Sequence, residues 1–341
     1  MTDASGLHHM VWEVVANSLD QFLAGRCSRV DVTLLADGAI SVDDDGPGIR
    51  LDEVDGVSFA EHALTTHHNT PTLDGHAPHV HVGHVGLGLF PICALSSRLA
   101  LDVFRDGAHF QQHFAAGRAT TPLQDRGPTD RTGTRITLHP DPEIFTSTWF
   151  DPGLIANRLR EISFLLPGLT ATVQDQRKHT FHSPDGLTAW VEARTRLDRD
   201  FVASRPFAVH GAWEDILVEA AASWGHPFDS SIESFANVER TTEGGTHVRG
   251  LLFGLVAGLR TAAPQLCEGR TRSDLERLIS RGLVAIVCVR LNDPTYGGPT
   301  RDKLVTEGVR DVVQRAVTER FSEYLLKEPE LVRRFGQVRI L

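Results

Sequence analysis

The chain has 341 residues, 41% of them hydrophobic and 23% charged, which suits a soluble globular protein with room for two cores. Its formal net charge of −10 argues against a mainly electrostatic grip on DNA or an anionic membrane, leaving only a local basic patch for such contacts. Cys27, Cys93, Cys267 and Cys288 lack C-x-x-C spacing, and neither a signal-like N-terminus nor a membrane-length apolar run is present, so the expectation is a reduced, cytoplasmic, soluble protein.

Residues 6–25, GLHHMVWEVVANSLDQFLAG, carry Met10, Val11, Val14, Val15, Leu19, Phe22 and Leu23 at helical spacing and close on Gly25. Residues 29–49 alternate as two strands around the turn Ala36-Asp37-Gly38. A polar stretch rich in His and Pro follows over residues 66–87, and an apolar helix is expected from about Gly88 to Ser97. Strand patterns at 98–107 and 133–140 complete a mixed α/β unit, which places a domain boundary near residue 150.

The second half, residues 151–341, repeats none of this pattern. It opens with a helix at 153–166 and strands at 169–176 and 215–224. Residues 231–259 read as strand, glycine turn and helix, and 282–291 is a near-continuous apolar strand of the kind buried in parallel sheets. Strand, helix and buried strand imply a right-handed β-α-β crossover. Residues 307–329 read as a long amphipathic helix.

Four local features carry chemistry. Glu13 and Asn17 stand one turn apart on one face of the first helix, where a carboxylate and an amide can act as general base and metal-ion ligand; alone they also fit an exposed helix edge. The run 43-DDDGPGI-49 puts Asp44 before Gly46 and Gly48, a sharp turn where backbone approaches something closely. An aspartate there can accept a hydrogen bond from a base amino group. Gly83, Gly86 and Gly88 precede an apolar helix, so backbone N–H groups can reach phosphate. Gly133-Thr134 opens a strand with a hydroxyl near the same place in the order.

Taken in that order, the four features resemble the GHKL (Bergerat-fold) ATPases, and within them the ATPase region of DNA gyrase B and topoisomerase IV ParE. The runs 6-GLHHMVWEVVANSLD-20 and 83-GHVGLGLFPICALS-96 carry the resemblance in the first half; 159-LREISFLLPG-168, 235-FANVERTTEGGTHVRG-250 and 292-NDPTYGGPTRDKLV-305 carry it in the second. The resemblance implies an α+β fold. A mixed sheet covered by helices forms a GHKL ATP-binding domain over residues 1–150, and an S5-like transducer domain with a β-α-β crossover spans residues 151–341.

It also implies ATP and Mg²⁺ as cofactors. By the same resemblance Glu13 is the general base for the attacking water, His9 its orienting neighbour, and Asn17 the Mg²⁺ ligand. Asp44 accepts the adenine amino hydrogen bond, with water at its other oxygen; Gly46 and Gly48 shape that pocket and Thr134 supports it. Gly83, Gly86, Leu87 and Gly88 cradle the phosphates, and Arg301 supplies a cation to the γ-phosphate. The partners implied are a second copy of the chain in an ATP-dependent dimer and a separate partner subunit.

Departures from the family pattern are visible. Pro299-Thr300-Arg301 stands where the family has Gln-Thr-Lys, and arginine is a planar fork rather than a flexible point charge. Gln21 and Pro47 replace a glutamate–arginine pair, leaving no orphan charge. Ala16 replaces an aspartate before the metal-ligand asparagine, which points to slow turnover. The N-terminal dimer arm and the TOPRIM region are missing from the sequence, so DNA cleavage by this chain alone is not expected. A nucleotide-gated interaction module, or a member recruited to another pathway or to defence, is the competing expectation.

The histidines of the polar stretch, His67, His68, His76, His79, His81 and His84, fit two readings. His79-x-His81 and His81-x-x-His84 have spacings that can converge on Zn²⁺. The family's mobile ATP lid falls in the same place, and there His79 or His84 can serve as a pH-sensitive phosphate contact.

Overall fold

Apolar residues alternating along the strands of the first half build one mixed sheet. In this computed structural model, residues 4–66, 88–195, 205–225 and 230–337 are described. They divide into two units, Met1–Pro184 and Asp185–Leu341.

The first unit begins with α1 (Ala4–Leu23), which buries Leu7, Met10, Val11, Val14, Val15 and Leu19. Strands β1 (Arg29–Leu34) and β2 (Ile40–Asp44) pair antiparallel, Leu34 opposite Ile40, as the turn residues predict. A short hairpin, β3 (Glu53–Val54) and β4 (Val57–Ser58), leads to α2 (Phe59–Thr65), whose N-cap Ser58 accepts from the Glu61 N–H. There follow α3 (Phe90–Ala94), β5 (Ser96–Arg105), β6 (Ala108–Ala115), β7 (Arg118–Ala119), β8 (Gln124–Pro128), β9 (Gly133–Pro140), α4 (Pro152–Leu165), β10 (Thr170–Gln174) and β11 (Lys178–His182). The sheet has nine strands in the order β11-β10-β1-β2-β9-β5-β6-β7, with β8 beside β6.

Two expectations are corrected here. The helix expected over 88–97 covers only Phe90–Ala94. From Ser96 the chain pairs with β9 and β6 and buries Leu99, Leu101 and Val103 in strand alternation, so the sheet takes residues that helical periodicity alone would have kept. The boundary expected at residue 150 falls at 184 instead. The cause is β10, which joins the first sheet parallel to β1, Arg29 opposite Thr170, with α4 packed on it.

The second unit comprises α5 (Gly186–Thr195), β12 (Phe207–Trp213), β13 (Ile216–Trp224), β14 (Ser231–Ala236), β15 (Glu239–Arg240), α6 (Thr246–Ala262), α7 (Arg272–Ser280), β16 (Leu283–Arg290), α8 (Val309–Lys327) and α9 (Pro329–Gln337). Its sheet runs β12-β13-β16-β14-β15. The expected β-α-β crossover is β14–α6–β16, with Ser231 opposite Val284 in parallel register. The buried β16 is parallel on that side only and pairs antiparallel with β13 on the other.

Helices α6 and α8 pack through a row of glycines one turn apart. Cβ atoms built at Gly250 and Gly254 would lie 2.8 and 2.6 Å from the Cβ atoms of Val313 and Val317, and one at Gly258 would lie 3.1 Å from that of Phe321. The two backbones approach so closely that no side chain fits between them. Gly254→Val should therefore lower the unfolding free energy by about 1–3 kcal/mol through overpacking, despite valine's better helix propensity. Urea denaturation monitored by far-UV circular dichroism measures it.

Candidate functional site

The sequence places an aspartate at the end of a central strand, and the fold encloses it. Asp44, at the C-terminal end of β2, is only 3% exposed. Its Oδ1 accepts from the Gly46 N–H at 2.9 Å and the Thr134 N–H at 3.2 Å. Its Oδ2 accepts from the Ser18 hydroxyl at 2.8 Å. Ser18 projects from α1, so this bond ties the helix that carries Glu13 and Asn17 to the sheet.

The turn after Asp44 is fastened at both ends. Ile49 N–H donates to Thr134 Oγ1 at 3.1 Å, and Arg105 Nη1 donates to Gly48 O at 2.9 Å. Two glycines around this turn are dictated by space. Gly48 has φ +76°, and a Cβ there would stand 2.8 Å from Phe104 O. Gly133, at the head of β9, has φ +133°, and a Cβ would stand 1.9 Å from Asp44 O. No other residue lets β9 lie so close to the aspartate.

Of the residues singled out in the sequence, Asp44, Gly46, Gly48 and Thr134 come together in one hydrogen-bonded cluster. On α1, Asn17 immediately precedes Ser18; Glu13 and Asn17 are half-buried, and His9 is exposed one turn before Glu13. Gly88 is exposed with φ +52°. Gly83, Gly86, Leu87 and the six histidines of the polar stretch lie outside the described residues, and with them the zinc and lid alternatives. Among the described residues no group of three His, Cys, Asp or Glu side chains could hold a metal ion. Arg301 belongs to the second unit, in the loop between β16 and α8.

Sequence reasoning missed several contributors. Ser18 gives no signal because a hydroxyl beside an apolar stripe looks incidental. Asp45 is fixed by Ser28 and Arg29: the N–H groups of both donate to its Oδ1 at 2.8 Å, and the Ser28 hydroxyl donates to Oδ2 at 2.5 Å. Burial alone would raise the Asp45 carboxyl; these hydrogen bonds outweigh it and hold the group at about 2. On β2, Asp43 pairs with both Arg131 and Arg135, and the Arg131 guanidinium lies 4.1 Å from the Phe104 ring centroid. Gln21 Oε1 is buried without a hydrogen-bond partner among the described residues, and the Gln21 side chain lies beside Gly46. An unused acceptor there fits a site that expects a donor from a ligand or an ordered water.

Residues 2–144 match the family model of histidine kinase-, DNA gyrase B- and HSP90-like ATPases, and residues 186–337 match the DNA gyrase B model. The DNA gyrase B protein of Halalkalibacterium halodurans is 35% identical across 98% of this chain and 54% of its own length. That of Thermotoga maritima is 33% identical across 97% of this chain and 54% of its own length. The solved 43K ATPase domain of Thermus thermophilus gyrase B, in complex with an aminocoumarin, shares the fold with a TM-score of 0.84. That similarity holds at 30% identity across 98% of this chain and 89% of that one.

The chain belongs to the gyrase B family of GHKL ATPases.

It spans about half the length of the curated gyrase B relatives it matches. The two family models fall in different units, the GHKL match within Met1–Pro184 and the gyrase B match within Asp185–Leu341. Between them lie α4, β10 and β11, which the sheet pairing assigns to the GHKL unit. Among the described residues, no helix of this gyrase B relative is long and apolar enough to cross a membrane.

Burial pushes the Asp44 carboxyl above its ordinary value of 3.8, while the Ser18 hydroxyl and the N–H groups of Gly46 and Thr134 pull it back. The native chain therefore binds this proton more tightly than the unfolded chain. Asp44's contribution to stability is fully present below 3.8 and is lost as the pH rises through the raised value. Asp44→Asn keeps the Oδ1 acceptor and can donate to Ser18 Oγ from Nδ2, yet does not titrate. The unfolding free energy of the parent should fall relative to this variant as pH rises above 3.8, measured by denaturant titration across pH 3–7.

Proposed function

We propose that the chain binds ATP with Mg²⁺ in its first unit, hydrolyses it, and uses the bound nucleotide to close a homodimeric clamp. The observation that carries the reading is the state of the Asp44 carboxylate. A carboxylate oxygen accepts two hydrogen bonds. Among the described residues Oδ1 has two N–H donors and Oδ2 has only the Ser18 hydroxyl. One acceptor position remains on Oδ2, suited to the amino group of adenine, and Gly46, Gly48 and Thr134 fix its surroundings.

The hydrolytic roles follow from α1 together with the family resemblance. Glu13 takes the proton of the attacking water, His9 orients Glu13, and Asn17 offers its amide oxygen to Mg²⁺. A single neutral amide is a weak site by itself, which fits a cation that keeps its waters and arrives with the triphosphate. When bound, Mg²⁺ offsets charge on the phosphate oxygens. Gly83, Gly86, Leu87 and Gly88 supply backbone N–H groups to the phosphates, and Arg301 supplies the cation. The protein's contribution is mainly positioning and electrostatics.

A second reading is a nucleotide-gated interaction module with little turnover. Ala16 beside Asn17, and arginine at position 301, favour it. A separate partner subunit fits either reading. DNA as a ligand gains no support from the arginines of the second unit: Arg260, Arg272 and Arg310 line a concavity of about 310 Å³, but Arg272 and Arg310 pair with Glu276 and Asp311, in keeping with the acidic net charge.

Turnover separates the two readings. The parent should hydrolyse ATP in the presence of Mg²⁺, and Glu13→Ala should lower kcat by about 100-fold or more while retaining affinity for a non-hydrolysable analogue. Coupled-enzyme phosphate release and calorimetry measure the two quantities. Binding without hydrolysis in the parent would select the module.

A further inference from the structure

Arg301 has a backbone conformation that a non-glycine residue keeps only when its surroundings hold it there: its φ is +59°. Its guanidinium lies 5.5 Å from the Tyr296 ring centroid and pairs with no carboxylate among the described residues. The nearest carboxylate along the chain, Asp302, is engaged elsewhere. It accepts from the Thr242 hydroxyl at 2.6 Å and from the Thr300 hydroxyl. The residues on both sides of Arg301 are thus tied to each other and to the glycine turn before α6.

That turn is a rigid support. Glu243 N–H donates to Asp302 O at 2.8 Å, Leu304 N–H to Gly244 O at 3.0 Å, and Thr246 N–H to Leu304 O at 2.9 Å. The approach requires Gly245, with φ +142°, because a Cβ there would stand 2.2 Å from Leu304 O. Beneath it runs a buried chain of hydrogen bonds. Ser234 Oγ and Thr241 Oγ1 are 2.7 Å apart, and Thr241 Oγ1 is 3.1 Å from His247 Nε2. Burial pushes the His247 imidazole down to about 4, so it stays neutral within this buried chain. On the other flank, Gly297 N–H donates to Lys303 O at 2.9 Å.

We propose that Asp302, held by Thr242 and Thr300, is the positioning residue that keeps Arg301 in its left-handed conformation, with the guanidinium available to a phosphate-bearing ligand. The two hydroxyls have a second effect: by occupying the carboxylate they keep it from collapsing onto the arginine beside it, where it would neutralise the charge. The proposal rests on the reading of Arg301 as the cation for the ATP phosphates.

The test is steady-state ATPase kinetics on the full chain with Arg301→Ala, Thr242→Val, Thr242→Ser and Asp302→Ala, the last also in the Arg301→Ala background. Arg301→Ala should lower kcat. Thr242→Val and Asp302→Ala should each lower kcat by about 10-fold, with KM changed less than about twofold. Thr242→Ser should restore the parent value, and Asp302→Ala should add nothing once Arg301 is gone. A loss through general weakening of an exposed loop would not show that rescue or that non-additivity. If Arg301→Ala lowers kcat but Thr242→Val and Asp302→Ala do not, the positioning role is wrong and the reading of Arg301 stands. If Asp302→Ala is equally damaging without Arg301, its effect does not run through the arginine and the proposal falls. If Arg301→Ala leaves kcat unchanged, the role of Arg301 falls, and the proposal with it.

Discussion

One buried carboxylate organises the first unit. Asp44 sits at the end of a central strand, almost out of contact with water, where an unsatisfied charge would be strongly unfavourable. Three donors from three separate segments offset that cost: Ser18 on α1, Gly46 in the following turn, and Thr134 on β9. The same three bonds set the geometry of everything around them. They fix the rotation of α1, which carries Glu13 and Asn17; they shape the Gly46–Gly48 turn; and they bring β9 so close that only glycine is admitted at 133. A strong penalty for leaving Asp44 unpaired therefore holds helix, turn and strand in register around one spot.

The second unit depends on close backbone approach in a different way. Gly250, Gly254 and Gly258 let α6 lie against α8, and Gly245 lets the turn before α6 lie against Leu304. Dispersion between closely packed helices favours the first contact, and hydrogen bonds between turn and loop favour the second. The loop bearing Arg301 thereby inherits its conformation from the start of α6 and does not depend on its own sequence alone.

Much of this was legible in the sequence, and unevenly so. The helix of residues 6–25, the hairpin around Gly38 and the β14–α6–β16 crossover follow from periodicity and turn chemistry, and the structure has them. Asp44, Gly46, Gly48 and Thr134 were legible as candidates because glycines beside an aspartate mark close backbone approach. What could not be read depends on partners distant in sequence. Ser18 matters only because Asp44 lies opposite it, and Asp43 only because Arg131 and Arg135 converge on it. The place of β10 follows from its pairing with β1 across a long sequence separation, which no local pattern encodes; hence the boundary at 184 rather than 150. Residues 88–97 have an apolar pattern that suits helix and strand equally, and sheet pairing decided the matter at Ser96.

Asp44 Oδ2, with one donor in place, is an acceptor with one position left. Adenine presents an amino group at the corresponding edge, whereas guanine presents a carbonyl oxygen, which would face the carboxylate with repulsion. The most direct test is calorimetry of this chain with non-hydrolysable ATP and GTP analogues at equal Mg²⁺ concentration. The expected result is saturable binding of the adenine nucleotide and affinity for the guanine nucleotide weaker by roughly 100-fold or more. Equal affinity for the two, or no binding of the adenine nucleotide, would contradict the role given to Asp44.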